Sequence, residues 1–155
     1  MNIIKEYELF KDEEGHPFLK IKREFSYETD VFNESIDIVR MMVELFNVHE
    51  FFVEHSYVLA FNYSNRLLGV SELGRDSDIQ TPVAFKILFM ELLLMGANKF
   101  VLIHNHPNNI VEPSIADINL GSKAKLGAEI LELNFWNQII ICEEDFCDML
   151  AEGYM

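Results

Sequence analysis

Positive charge is scarce in this 155-residue chain. Twelve Lys and Arg stand against 26 Asp and Glu, a formal net charge of −14. From Glu129 to the end there are seven acids and no Lys or Arg. Nucleic-acid binding relies on basic side chains that neutralise phosphates, so this balance argues against direct nucleic-acid binding. It argues equally against docking on anionic membrane surfaces. Long hydrophobic runs are also missing. The longest, Ile87 to Ala97, is interrupted by Glu91 and is too short to span a bilayer. Met1 to Glu6 lacks the apolar run of a secretion signal, so a cytoplasmic location is the expectation. Cysteine is limited to Cys142 and Cys147, whose spacing forms neither a C-x-x-C pair nor a disulfide framework; both read as buried thiols. Apolar material is plentiful. Half the residues are hydrophobic and 13 are Phe, enough for one core and one domain over residues 1–155.

The order of elements is mixed. Glu8 to Lys11 and Pro17 to Phe25 flank a Gly-containing turn and read as a hairpin. Asn33-Glu34-Ser35 offers N-cap chemistry, and Ile36, Val39, Met42, Val43 and Phe46 recur at helical spacing, which predicts a helix from Asn33 to Asn47. Ser56 to Phe61 and Arg66 to Val70 form a second hairpin, and the polar stretch Leu73 to Gln80 reads as a loop. Thr81 as N-cap and Pro82 at the first helical position predict a mostly buried helix that Gly96 ends. A strand from Phe100 to His104, a helix from Ser114 to about Gly127 and a strand from Asn137 to Cys142 follow. An acidic helix over Glu143 to Ala151 closes the chain. The fold class is α+β with a three-layer α/β/α tendency, a mixed sheet flanked by helices. Residues 1–48 supply the first hairpin and helix, 49–142 the core, and 143–155 the acidic tail.

The chemistry concentrates in His104-Asn105-His106-Pro107, followed by Ser114 and Asp117. At the end of an extended strand, residues two apart point to one side, so both imidazoles can aim at one point. Pro107 stops the strand. Asp117 lies three residues after Ser114 on the next helix, so both can share a face turned towards the histidines. Two imidazole nitrogens, a carboxylate oxygen and a fourth position open to water make a plausible catalytic zinc site. Each residue also has an ordinary explanation. H-x-H by itself is a weak signal. Ser114 with Asp117 reads as a capping box with Asp in place of the usual Glu or Gln.

The combination resembles the signature of the JAB/MPN (JAMM) metalloprotease superfamily, in the form H-N-H-P…P-S-x-x-D that is similar to its RadC-like branch. Glu54 to Leu59 and Asn62 to Gly69 resemble that family's first strand pair, and the similarity extends over about Glu54 to Cys142. The resemblance implies a JAB/MPN-like, cytidine-deaminase-like core. It implies Zn2+ held by His104, His106 and Asp117, with Glu54 taking a proton from water and Ser114 donating a hydrogen bond to the oxyanion. It implies metallopeptidase or isopeptidase activity on a protein or peptide substrate, including a ubiquitin-like conjugate. As the base, Glu54 has rivals in Glu50, Glu72 and Glu91. Glu91 is otherwise explained by an exposed helix face, and His16, His49 and His55 by surface positions.

This chain departs from the branch at two places. Asn108-Asn109 replaces the usual Ser-Gly after the motif, and Asn tolerates the left-handed backbone that such a turn uses. Asn137-Gln138 stands where the branch carries Asp-His, a change next to the ligands that bears on metal affinity and activity. Two other functions stay open: a non-catalytic MPN-type protein-binding scaffold, and a RadC-like accessory role in DNA repair or anti-restriction of mobile elements. The motif names no substrate and sets no oligomeric state.

Overall fold

The computed structural model describes residues 1–76 and 83–155. Its strands are β1 (Asn2–Lys11), β2 (Pro17–Tyr27), β3 (Glu54–Phe61), β4 (Leu67–Asp76), β5 (Lys99–Asn105), β6 (Asn134–Ile141) and β7 (Phe146–Asp148). Its helices are α1 (Ser35–Phe46), α2 (Phe85–Met95) and α3 (Ile115–Ile130), with a short 3-10 turn at Val48–Glu50. The strands form one sheet in the order β2-β1-β4-β3-β5-β6-β7. The β1–β4 and β5–β6 pairs are parallel and the other four antiparallel. This is the mixed, helix-flanked α+β sheet that the sequence leads one to expect. No helix among the described residues is long and apolar enough to cross a membrane.

Strand alternation divides the core in two. Tyr57, Leu59 and Phe61 of β3 join Val101, Ile103, Ile139 and Ile141 under α1. Val58 and Ala60 join Phe100 and Leu102 under α2 and α3. Helix α3 lies close to the sheet because its buried face is small: Gly121, Ala124 and Ala128, with Asp117 at its start. A Cβ at Gly127 would lie 2.5 Å from the Phe89 ring, so the missing side chain lets that ring of α2 pack directly on α3.

Several elements depart from their sequence signals. Leu73 to Asp76 continue β4 instead of forming a loop, because pairing with β3, down to Glu54 opposite Asp76, gives their backbone partners. Helix α2 begins at Phe85 with Ala84 as N-cap; the expected Thr81-Pro82 start lies outside the described residues. The C-terminal acidic stretch is not a helix. Phe146 to Asp148 pair with β6 as β7, because Cys147 and Met149 alternate into the core and the Asp148 carboxylate accepts from the Ala151 N–H. Both cysteines are free and buried, as expected.

The largest difference concerns α2. Leu93 and Leu94 are exposed, whereas Glu91 is only 3% exposed. Burial, partly opposed by the nearby Ser71 hydroxyl, pushes the Glu91 carboxyl up to about 6 from 4.5. A raised acid pKa means that the folded state holds the proton more tightly than the unfolded chain. The associated stability is fully present below about pH 4.5 and is lost as pH rises through about 6, costing about 2 kcal/mol above that. Glu91→Gln stays neutral, so it should be more stable than the parent by about 2 kcal/mol at about pH 8, with the gain vanishing below about pH 4.5. Urea unfolding at both pH values checks this, and a pH-independent difference would contradict it.

Candidate metal centre

The site forms where the C-terminal end of β5 meets the start of β3 and the N-terminus of α3. The last β3–β5 pair sets Ser56 opposite His104. Glu54, two residues before Ser56, opens on the same face as His104. Together with Asp117, Ala116, Leu120, Lys123, Val83 and Phe85 they line a cleft of about 290 Å³. His106 follows the strand and is fixed by its N–H bond to the Ile141 carbonyl, 3.1 Å.

Three donor groups converge there. His104 Nε2 lies 3.1 Å from Asp117 Oδ1, His106 Nε2 lies 3.1 Å from Asp117 Oδ2, and the two Nε2 atoms are 3.2 Å apart. Tetrahedral zinc with bonds of about 2.0–2.1 Å has ligand–ligand edges of roughly 3.3 Å; the two imidazole nitrogens match that edge, each beside a different oxygen of Asp117, and all the donors lie within 4.8 Å of one another. The donor set also suits zinc: two imidazoles and a carboxylate, the commonest ligands of an open catalytic site. The Ile110 carbonyl accepts from His106 Nδ1 at 2.6 Å, which orients the ring with Nε2 towards the other donors. These are the only three His, Cys, Asp or Glu residues among those described whose donor atoms group this way.

Asp117 does two jobs. It is the third donor, and it closes the capping box of α3: its N–H donates to Ser114 Oγ at 3.1 Å, and its Oδ2 accepts from the Ser114 N–H at 2.8 Å. Burial would raise its carboxyl pKa, but hydrogen bonds from His104 and His106, with the Ser114 N–H, hold it far below the ordinary carboxylate range. Burial also acts to lower His106. The hydrogen bond to Asp117, the Ile110 carbonyl and the charges of Asp117 and Glu54 outweigh it, and the net shift is upward. The carboxylate and the two imidazoles thus favour opposite charges on one another.

The residues at the two departures from the resembled signature take up defined places in the fold, although the buried Gln138 Oε1 has no hydrogen-bond partner among the described residues. Asn109 adopts φ 61°, the left-handed conformation that Gly would take. Its side chain exchanges bonds with Glu143, Oδ1 accepting from the Glu143 N–H and Nδ2 donating to Oε2. Gln138 is fully buried and its Nε2 donates to the Asp117 carbonyl oxygen at 3.2 Å. Gly121 makes room for it, since a Cβ there would meet Gln138 Oε1 at 2.6 Å. Asn137 instead binds Asp148 and Ser35 away from the donors.

Of the four glutamates considered as base, Glu54 is the one lining the cleft with His104 and Asp117. Glu72 is on the other sheet face, bound by both oxygens to Arg75 and by one to His55. Glu50 sits in the 3-10 turn beside His49, and Glu91 is buried under α2 rather than exposed. His55 is not at the surface either. It is 4% exposed, stacked on Phe51 at 3.7 Å, because a neutral ring can be buried once Glu72 accepts from its Nδ1. No periodic signal in the sequence marks Asn105, yet its side chain is bonded on both sides of Glu54.

Residues 32–154 match the family model described as the RadC-like JAB domain. Similar proteins include a UPF0758 protein of Flavobacterium johnsoniae, 28% identical over 153 residues that make up 99% of this chain and 62% of the relative. A UPF0758 protein of Trichodesmium erythraeum is 37% identical over 84 residues, 54% of this chain and 35% of the relative. The chain thus spans less than two thirds of the length of these curated relatives.

Purified protein is expected to take up about one Zn2+ per chain, and the His106→Ala and Asp117→Asn variants to take up close to none. Metal analysis after dialysis checks this. Full zinc occupancy in either variant would remove that residue from the ligand set.

Proposed function

The chain belongs to the RadC-like JAB domain family, and from that premise we propose that it is a zinc-dependent amide hydrolase, a peptidase or isopeptidase acting on a protein or peptide. The observation that carries this reading is the shared cleft. His104, His106 and Asp117 present donors to one point, and Glu54 lines the same cleft as His104 and Asp117. A bound zinc supplies Lewis acidity, which polarises a carbonyl and lets water yield hydroxide near pH 7.

The chain's own residues supply the rest. His104, His106 and Asp117 hold the ion, with the His106 ring oriented by Ile110 and the Asp117 backbone by Gln138. Glu54 takes a proton from the attacking water and returns it to the nitrogen of the leaving amine. Ser114 Oγ accepts from the Asp117 N–H, which fixes the hydroxyl at the helix start; the role we propose for that hydroxyl is to donate to the oxyanion. Val83, Phe85 and Leu120 give the cleft an apolar side next to the polar Glu54, Asn119 and Lys123. An extended peptide segment, including the tail of a ubiquitin-like conjugate, is the substrate class we propose.

Glu54→Gln keeps the shape of the side chain and removes the base. It should cut turnover by about 10²–10⁴-fold while leaving zinc stoichiometry unchanged. A panel of peptides and isopeptide-linked ubiquitin-like conjugates, assayed with the parent and variant side by side, is the measurement. Undiminished turnover in the variant would assign the base elsewhere. A parent that binds zinc but cleaves nothing in the panel would favour the scaffold role.

A further inference from the structure

Asn105 lies between the two histidines and is 3% exposed. Its Oδ1 accepts from the His55 N–H at 2.7 Å, and its Nδ2 donates to the Val53 carbonyl at 3.1 Å. These two backbone groups bracket Glu54. The β3–β5 ladder has its last pair at Ser56 and His104, so one carboxamide continues the bonding on the β5 side, where that ladder stops, while Glu54 and His55 stay paired with β4 on the other side. The chain leading into this point is otherwise open: Phe52 is 94% exposed, and Phe51 is held by stacking on His55.

The chemistry of the side chain fits this place. A carboxamide presents an acceptor and a donor side by side without charge, whereas a carboxylate only accepts. Both amide atoms are used, one for each strand-end group, so the orientation of the amide is dictated by its partners. Nothing in this bonding touches the donor triangle itself; it links the peptide carrying Glu54 to the peptide carrying His104 and His106.

We propose that Asn105 is a positioning residue for the general base, tying the backbone on both sides of Glu54 to the strand end that carries the two histidines. The inference rests on the reading of Glu54 as base. Its consequence is that base and metal ligands keep one spacing whatever the preceding segment does. A misplacement of about 1 Å at a reacting group costs about 10²-fold in rate, so a single carboxamide is enough to matter.

The test uses the zinc-loaded full chain in five forms: parent, Asn105→Ala, Asn105→Asp, Glu54→Gln and the Asn105→Ala/Glu54→Gln double variant. Three quantities are read: Zn2+ affinity by chelator competition, exchange of the His55 amide by NMR, and cleavage of an isopeptide-linked ubiquitin dimer. Asn105→Ala should leave zinc affinity within about threefold, speed His55 exchange at least about tenfold, and lower kcat about 10²-fold with KM nearly unchanged. On the Glu54→Gln background the same change should cost almost nothing, because the base it positions is gone. Asn105→Asp retains the acceptor for the His55 N–H and should preserve that amide's protection; it also serves where the alanine variant fails to fold. The proposal is overturned by unchanged His55 exchange in Asn105→Ala, by a parallel loss of zinc affinity, by a full further loss of rate on the Glu54→Gln background, or by an Asp variant as unprotected as the Ala one. A parent that cleaves no dimer counts against the hydrolase reading, and the exchange and zinc measurements then decide the clamp by themselves.

Discussion

Asp117 is bound from three directions, and the arrangement of the site follows from that. One carboxylate oxygen meets His104 and the other meets His106 and the Ser114 N–H. The same residue donates its own N–H to Ser114 and offers its carbonyl to Gln138. A helix start leaves unpaired N–H groups that favour negative charge, so the carboxylate is stabilised where it also faces the imidazoles. Placing α3 against β5 and β6 is therefore the step that assembles the centre. Its small buried face, with Gly121 giving way to Gln138, is what lets the helix approach closely enough.

The sheet divides the labour between its faces. Towards α2 and α3, β3 and β5 present Glu54, Ser56 and His104 to the cleft. Towards α1, the alternate residues His55 and Glu72 form a buried polar pair beside Tyr57. Burial pushes the Tyr57 hydroxyl well above its usual range, with the charges of Glu72 and Glu6 adding to it. Two sets of ionisable groups thus lie within a few residues of each other on opposite sides of one strand, and period-two alternation keeps them apart. A one-residue slip of this register would move Glu54 and His55 to each other's faces.

Much of this is legible in the chain. Turn residues locate the first hairpin, the heptad-like spacing of Val39, Met42 and Phe46 locates α1, and Gly96 marks the end of α2 with φ 71°. The failures share one cause. Helices α2 and α3 expose Leu93, Leu94, Ile115, Leu126 and Ile130 and bury Glu91, Asp117 and Gly121. Apolar periodicity reports which residues prefer to be buried, whereas close packing at this sheet selects small residues and functional polar ones. The same competition turns Leu73 to Asp76 and Phe146 to Asp148 into strands: an available sheet edge outweighs a polar local composition.

The sequence by itself determined which donor groups are offered and their local geometry. Two histidines one residue apart at a strand end, and a Ser–Asp capping pair at a helix start, are short-range features that any fold would have to respect. Only the tertiary structure decided that these two fragments face each other, that Glu54 rather than Glu50, Glu72 or Glu91 shares their cleft, and that Asn105 and Gln138 hold the surrounding backbone. The physical reason is range. Strand ends and caps are set by neighbours within a few residues, while β3 meets β5 through register and packing across as many as 50 positions, His55 to Asn105, and α3 meets β6 across 21, Asp117 to Gln138.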